Sequence, residues 1–224
     1  METVWLSYPM SATAPRPPAI PAPCVTVFQS IEKDGANVQF LQCYNHTGTH
    51  LDTAAHVIEG GAWITDFRPE ELIYSSIRYL DLSGTPEDTV ITPSFLEPYL
   101  KDGLEEEALI VRFGVEQWRA KDPQRFSKHC PGFSISAAGY IHEKMPNLRL
   151  IGTDVPSIAC ISSLEETMKA HNVFFEQAKT PHFIIIEEMK LDKKWRGICR
   201  MLVSPWLHED MNCGPCVIWA ECEL

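Results

Sequence analysis

The segment HFIIIEEM constrains this chain more than any other. Its core, Ile184–Ile186, is the most β-branched run in the sequence. A strand with no polar residue to turn toward water has to be covered on both faces. Ala108–Val111, inside EEEALIVRFGV, is a second continuous apolar run of buried-strand length, and LRLIGTD reads as a third strand. Between them lie helical patterns. SISAAGYIHEKM has a serine cap at Ser134, and residues 165–177 form another amphipathic stretch. Strands alternating with helices predict an α/β domain.

Weaker signals extend this reading. Val38–Cys43 (VQFLQC) alternates as a half-buried strand would, PEELIYSS reads as a short helix, and SIRYLDLSG as a strand ending at Gly84. TPSFLEPYL has a threonine cap followed by proline at the first helical position. MLVSPWL and PCVIWAEC read as final strands. With 224 residues, 45% of them hydrophobic, the chain can bury a sizeable core, and residues 1–224 read as a single domain. Its first 23 residues include APRPPAIPAP, with five prolines in ten positions, an extended stiff arm.

A net charge of −11 disfavours nucleic acid or an anionic membrane surface as partner. No apolar run approaches the ~18 residues that span a bilayer. The N-terminus METVWLSYPM lacks the basic and apolar regions of a secretory leader. The expectation is a cytoplasmic protein whose eight cysteines are reduced thiols.

The chemistry concentrates in CYNHTGTHLDTAAH, residues 43–56, where His46, His50, Asp52 and His56 fall within eleven positions. Gly48 makes a helix through the first pair improbable on its face, so a turn has to bring His46 and His50 together. In extended backbone His50 and Asp52 point the same way. His56 reaches the same pocket if DTAAH begins a helical turn. A histidine near apolar residues is ordinarily a satisfied core or surface group. Three of the chain's eight histidines beside a carboxylate at this spacing favour a metal site.

HTGTHLDTAAH resembles the HxGTHxDxPxH signature of the metal-dependent cyclase family, whose members include bacterial kynurenine formamidases and isatin hydrolases. PGFSISAAGYI, LIGTDVPSI, HNVFF, IIIEEMKLD and NCGPCVIWA are similar to further segments of that family, in the family's order. The resemblance implies a swivelling β/β/α domain, a mixed sheet with flanking helices. It implies that His46, His50, Asp52, His171 and Glu187 are metal ligands, with Asp52 able to bridge two ions, and that His56 shuttles protons. Of the neighbours Glu187 and Glu188, strand alternation lets one face the site. Glu187, which follows the isoleucines as the family glutamate does, is the match. The implied cofactor is one or two divalent ions, Zn2+ or alternatively Mn2+. The implied substrate is a small-molecule amide, first an aryl formamide such as N-formylkynurenine. The alternatives are hydrolysis of an isatin-type lactam, a ring-closing cyclase, or a metal-binding protein without turnover. Family members are commonly homodimers or homotetramers.

The sequence departs from the family in three places. Ala54 stands where the signature has proline. The interval from His171 to Glu187 is longer than in typical formamidases. Pro17 occupies about the place of a substrate-contacting aromatic, a contact that is either missing or supplied by another residue such as Trp63 or Phe67. CGPC, residues 213–216, has the spacing of a thioredoxin-type motif but precedes the last strand, so a turn on Gly214 and Pro215 is the expectation. A zinc site from Cys213, Cys216, Cys222 and His208 is a lesser alternative. His129, His142 and His182 read as structural, and Glu105–Glu107 as a solvated turn.

Overall fold

A computed structural model describes residues 1–16, 20–162, 164–195 and 197–223. Pro17 lies outside these residues. The chain opens with β1 (Glu2–Trp5), then an antiparallel ribbon of β2 (Cys24–Gln29) and β3 (Val38–Gln42) joined through the single turn α1 (Ile31–Asp34). The histidine motif follows as β4 (His50–Asp52) and a 3-10 turn, Ala54–His56. Beyond two more 3-10 turns come β5 (Ile73–Tyr74), β6 (Ile77–Asp81), β7 (Val90–Ile91) and α2 (Pro93–Leu96). β8 (Ala108–Arg112), α3 (Glu116–Lys121), α4 (Pro123–Lys128), β9 (Gly132–Phe133) and α5 (Ile135–Lys144) lead to β10 (Leu150–Thr153). α6 (Leu164–Glu176), β11 (Ile184–Glu187), β12 (Gly197–Pro205) and β13 (Cys213–Glu223) complete the described chain.

One large mixed sheet organises the molecule, in the order β5-β12-β13-β4-β11-β10-β8-β6, with β1 added to β13. β6, β8, β10 and β11 are parallel, as the helical crossovers between them require. β4 then runs antiparallel to both β11 and β13. β6 comes back close to β12, so the sheet nearly closes on itself. This mixed sheet with flanking helices is the architecture expected from the sequence.

The apolar runs explain the layering. Leu109, Val111, Ile151 and Ile185 face a core shared with Phe126, Ala137, Ile141, Ala170 and Phe174 of the helices. Their neighbours Ala108, Ile110, Leu150, Ile184 and Ile186 face a second core inside the curved sheet, with Leu51, Met201, Val203 and Ile218. Both faces are covered, which is why these strands show no polar alternation.

Several local expectations are corrected. β3 is not half-buried: all five of its residues are exposed, because among the described residues it pairs only with β2, in a sheet separate from the main one. Val25, Val27, Phe28 and Phe40 on this ribbon are at least 58% exposed. PEELIYSS is a 3-10 turn, Pro69–Leu72, running into β5 instead of a helix. Burying the Tyr74 side chain while pairing Met201↔Tyr74 with β12 demands extended backbone there. Gly214 and Pro215 do not form a turn; they are strand residues of β13, paired with Leu51 and His50. β1 and the helices α3 and α4 were not foreseen. Leu6, just after β1, is fully buried, so the start of the Pro-rich arm is tied into the main sheet.

Candidate metal centre

Three adjacent strands assemble the site. The register pairs Glu187 of β11 with His50 of β4, and Cys213 of β13 with Asp52. His50 and Asp52 lie two apart in a strand and so share a face, while Leu51 between them enters the inner core. Ahead of β4 the chain turns through Gly48 at φ +67°, a conformation that favours glycine, and this turn folds His46 back over His50. His46 Nδ1 lies 3.0 Å from His50 Nε2 and 3.4 Å from Asp52 Oδ1. His50 Nε2 is 3.2 Å from Glu187 Oε2 and 3.8 Å from Asp52 Oδ1. From α6, His171 Nε2 reaches Glu187 Oε1 at 3.1 Å. All five residues predicted as ligands are therefore in one cluster. Their donor atoms fall into two groups, His46–His50–Asp52 and Asp52–His171–Glu187, which share Asp52.

Each donor is held from behind. His50 Nδ1 lies 2.8 Å from the Gly48 carbonyl, and as the donor there it turns Nε2 toward the cluster. There Nε2 donates to Glu187 in the metal-free site and offers a lone pair once a cation displaces that proton. Glu187 Oε1 accepts a hydrogen bond from the Ile158 backbone N–H at 2.7 Å. The threonines of the motif are braces. Thr49 Oγ1 donates to the Glu188 carbonyl (2.6 Å) and accepts from the Tyr8 N–H (3.0 Å). Thr53 Oγ1 donates to the Asn212 carbonyl at 2.7 Å.

The adjacent glutamates part company. Glu188 has φ +55°, which swings its side chain away from the cluster to Arg119, at 2.6 and 2.9 Å. Arg119 in turn stacks on the Tyr8 ring, 3.7 Å from its centroid. Asp154, from the LIGTDVPSI segment, is not a member of the cluster. Its carboxylate accepts from the N–H groups of Phe113, Gly114 and Val115 and fixes the loop after β8. Burial pushes its pKa up to about 6 against those bonds.

Asp52 is the test of whether these residues fit a cation. It is 1% exposed, and among the described residues neither carboxylate oxygen has a hydrogen-bond partner. An ionised group left so costs several kcal/mol in a protein interior. The neighbours that face it are lone-pair donors, imidazoles and a second carboxylate, of the kind Zn2+ and Mn2+ take. The field around them is strong. Burial opposes charge on His50, but the hydrogen bond to Glu187 and the charges of Asp52 and Glu187 prevail, raising its pKa to about 9. Burial lowers that of His46 to about 4, against the pull of Asp52. Glu187 is also buried, yet its bonds to His171 and His50 hold its carboxyl well below the usual range. The donor set fits a divalent ion.

His56, the predicted proton shuttle, stands at the rim. Its ring centroid is 4.6 Å from that of His46 and 6.2 Å from that of His171. The substrate-contacting aromatics are less well placed than expected. Phe67 packs against the inner core and the His182 ring, centroid to centroid 4.9 Å, and Trp63 is 40% exposed at the start of a 3-10 turn. The groove beside the motif is lined instead by Leu41, Cys43, Asn45, Trp206, Met211 and Pro215, with a volume of ≈ 400 Å³. The other histidines have structural partners. His142 Nε2 meets the Phe174 carbonyl at 2.8 Å, His129 pairs with Asp88 at 2.9 Å, and His182 pairs with Glu71 at 2.8 Å.

Residues 4–159 match the family described as "Putative cyclase". The chain belongs to this family. Among its cyclase-family relatives, kynurenine formamidase of Bacillus cereus is 26% identical over 184 residues, covering 82% of this chain and 79% of that protein. Kynurenine formamidase of Bacillus anthracis is 27% identical over 190 residues, covering 84% and 82%. In fold, the chain is similar to isatin hydrolase A from Labrenzia aggregata, with a TM-score of 0.83 at 17% identity, over 99% of this chain and 94% of that one. No helix among the described residues is long and apolar enough to cross a membrane.

Proposed function

We propose that this cyclase-family protein is a metal-dependent hydrolase of a C–N amide bond, with an aryl formamide such as N-formylkynurenine as its first substrate to test. The observation that carries the proposal is Asp52, buried with no hydrogen bond to either oxygen among the described residues, at the centre of His46, His50, His171 and Glu187. The formamidase relatives cover most of the chain and support the choice of bond. The isatin hydrolases share the fold at lower identity and support a cyclic amide as second choice, or a ring-closing reaction of the same type.

In this reading His46, His50 and Asp52 hold one ion, and Asp52, His171 and Glu187 hold a second or complete the first. Such an ion supplies hydroxide at neutral pH and draws electron density from the amide carbonyl. The chain's own residues do the rest. The His50–Gly48 contact fixes which imidazole nitrogen faces the cluster, and Ile158 N–H keeps Glu187 from rotating out. An imidazole nitrogen of His56 takes the proton of the attacking water and returns it to the leaving nitrogen, which departs as an amine only once protonated. The aryl group lies against Trp206 in the groove beside Asn45.

The proposal includes Zn2+ as the ion, with Mn2+ as alternative, and a cytoplasmic setting that keeps the thiols reduced. It also takes the protein to be a homodimer or homotetramer. An isolated two-stranded ribbon is marginal in water, and the apolar β2–β3 ribbon is surface for a second copy to cover. Sedimentation of a monomer at micromolar concentration rules that part out. Elemental analysis of the purified protein, followed by turnover of N-formylkynurenine and isatin, tests the rest. A protein that carries stoichiometric metal and turns over neither amide is a metal-binding protein of another kind.

A further inference from the structure

Cys213 has no part in the mechanism above, yet it lies inside the site. It is fully buried, and its Sγ is 3.2 Å from His46 Nε2. Strand parity puts it there. Cys216 and Cys222 of β13 point into the inner core, whereas Cys213 sits on the other face, opposite Asp52 of β4. His46, His56 and Cys213 form a third cluster, each offering a donor atom within 4.8 Å of the other two. Asn45 Nδ2 abuts the sulfur on the side where it can donate to a coordinated thiolate, and the thiol itself faces Asn212 Oδ1 at 3.2 Å.

The two clusters share one residue and turn it to opposite uses. His46 faces His50 and Asp52 with Nδ1 and faces Cys213 with Nε2. A neutral imidazole has one lone pair, so His46 serves one cluster at a time. The clusters also differ in chemistry. Carboxylate and imidazole suit zinc and manganese alike, but a thiolate with two imidazoles selects a thiophilic ion. In a tetrahedral ion with Zn–N of ~2.0 Å and Zn–S of ~2.3 Å, neighbouring donors lie roughly 3.3–3.6 Å apart. The His46–Cys213 separation is already close to that edge.

We propose that His46, His56 and Cys213 form a separate, inhibitory site for a thiophilic divalent ion such as Zn2+. Filling it takes His46 from the Asp52-centred group and occupies His56. The thiol proton leaves to solvent as the sulfur–metal bond forms. The binding half of this proposal stands on geometry alone; the inhibitory half rests on the function proposed above.

The test is titration of the metal-free protein with Co2+, followed by near-ultraviolet absorption. A thiolate bound to cobalt gives an intense charge-transfer band that nitrogen and oxygen ligands do not. The band is expected in wild type and in Cys216→Ser, and is expected to be lost in Cys213→Ser and Cys213→Ala. Half-inhibition of amide turnover by added Zn2+ should need at least about tenfold more zinc in the Cys213 variants. Cobalt bound without the band, or the same band in folded Cys213→Ala, overturns the site. The band with unchanged zinc inhibition overturns the inhibitory role. If no amide is turned over, the function proposed above fails while the band still decides the site.

Discussion

Replacing Asp52 by alanine should move stability in opposite directions with and without metal. In a chelator, wild type keeps a buried carboxylate whose two oxygens lack hydrogen-bond partners among the described residues. Leaving a charged group unsatisfied costs more than the ~1–3 kcal/mol of a neutral one, and the attraction of Asp52 to protonated His50 at 3.8 Å returns part of it, for a net of about 1–3 kcal/mol. Truncation removes that cost and leaves a cavity of about 30 Å³, worth ~0.7 kcal/mol at about 24 cal/mol per Å³. It strands no cation, because His50 Nε2 retains Glu187 at 3.2 Å, closer than Asp52 at 3.8 Å. Chelated Asp52→Ala is therefore expected to be as stable as wild type or up to ~2 kcal/mol more so. Metal reverses the order. At a free ion concentration 100 times Kd, wild type gains about 2.7 kcal/mol. For a chain of this length that raises Tm by roughly 5–11 °C. The variant, which has lost the residue shared by both ligand groups, should show no shift. Thermal melts of both proteins in chelator and in Mn2+, an ion the thiolate-containing His46–His56–Cys213 group does not select, with metal content measured, check this. Chelated Asp52→Ala falling more than ~1 kcal/mol below wild type would refute the orphan-carboxylate argument. A full metal shift in the variant would remove Asp52 from the ligands.

His56→Ala, loaded with Mn2+, should retain the wild-type manganese content while kcat falls about 10²–10⁴-fold, the usual worth of a positioned acid–base group; loss of manganese makes His56 a ligand of the Asp52-centred group instead. In chelator, stability should fall as pH rises from 6.5 through 9 and change little between 6.5 and 4. His50, raised from 6.5 to about 9, stabilises below pH 6.5 and loses that contribution as pH rises through 9. His46, lowered to about 4, contributes above pH 6.5 and loses it as pH falls toward 4, while Asp154, raised to about 6, gains stability over the same fall and offsets that loss. Urea melts across pH 4–9 check the profile, and a plateau over that range refutes it. Gly132→Ala should destabilise by about 3 kcal/mol, because a Cβ there meets the backbone of Ala159 and Cys160, which cannot move aside; an unchanged urea midpoint contradicts the packing.

The parts of the fold legible in the sequence are those where local pattern and tertiary environment agree. Ile184–Ile186 is apolar because both its faces are covered, and Ser134 starts α5 by accepting a hydrogen bond from the Ala137 N–H. The helices α3 and α4 were missed because neither has an apolar stripe of useful length, though Asp122 before Pro123 marks the second. Asp122 caps it by accepting from the Arg125 N–H. β3 misled for the opposite reason: its alternation is real, but among the described residues no layer lies under it, and alternation alone does not say what a face packs against.

The same distinction runs through the site. His46 to His56 are legible because one turn and one strand gather them locally. Glu187 and Glu188 could not be separated by spacing, since the choice is made by the φ of Glu188 and by the presence of Arg119, 69 positions earlier. Cys213 is the extreme case. Nothing in CGPC tells which cysteine faces the histidines; the register Cys213↔Asp52 does, and register is a property of β4 and β13 together. Donors contributed by adjacent strands become neighbours only through pairing, so a metal centre spread over β13, β4 and β11 is partly hidden in any reading that moves along the chain. The fold that hides them also supplies their precision, since three paired strands fix Cys213, His50, Asp52 and Glu187 relative to one another more tightly than a loop holds its residues.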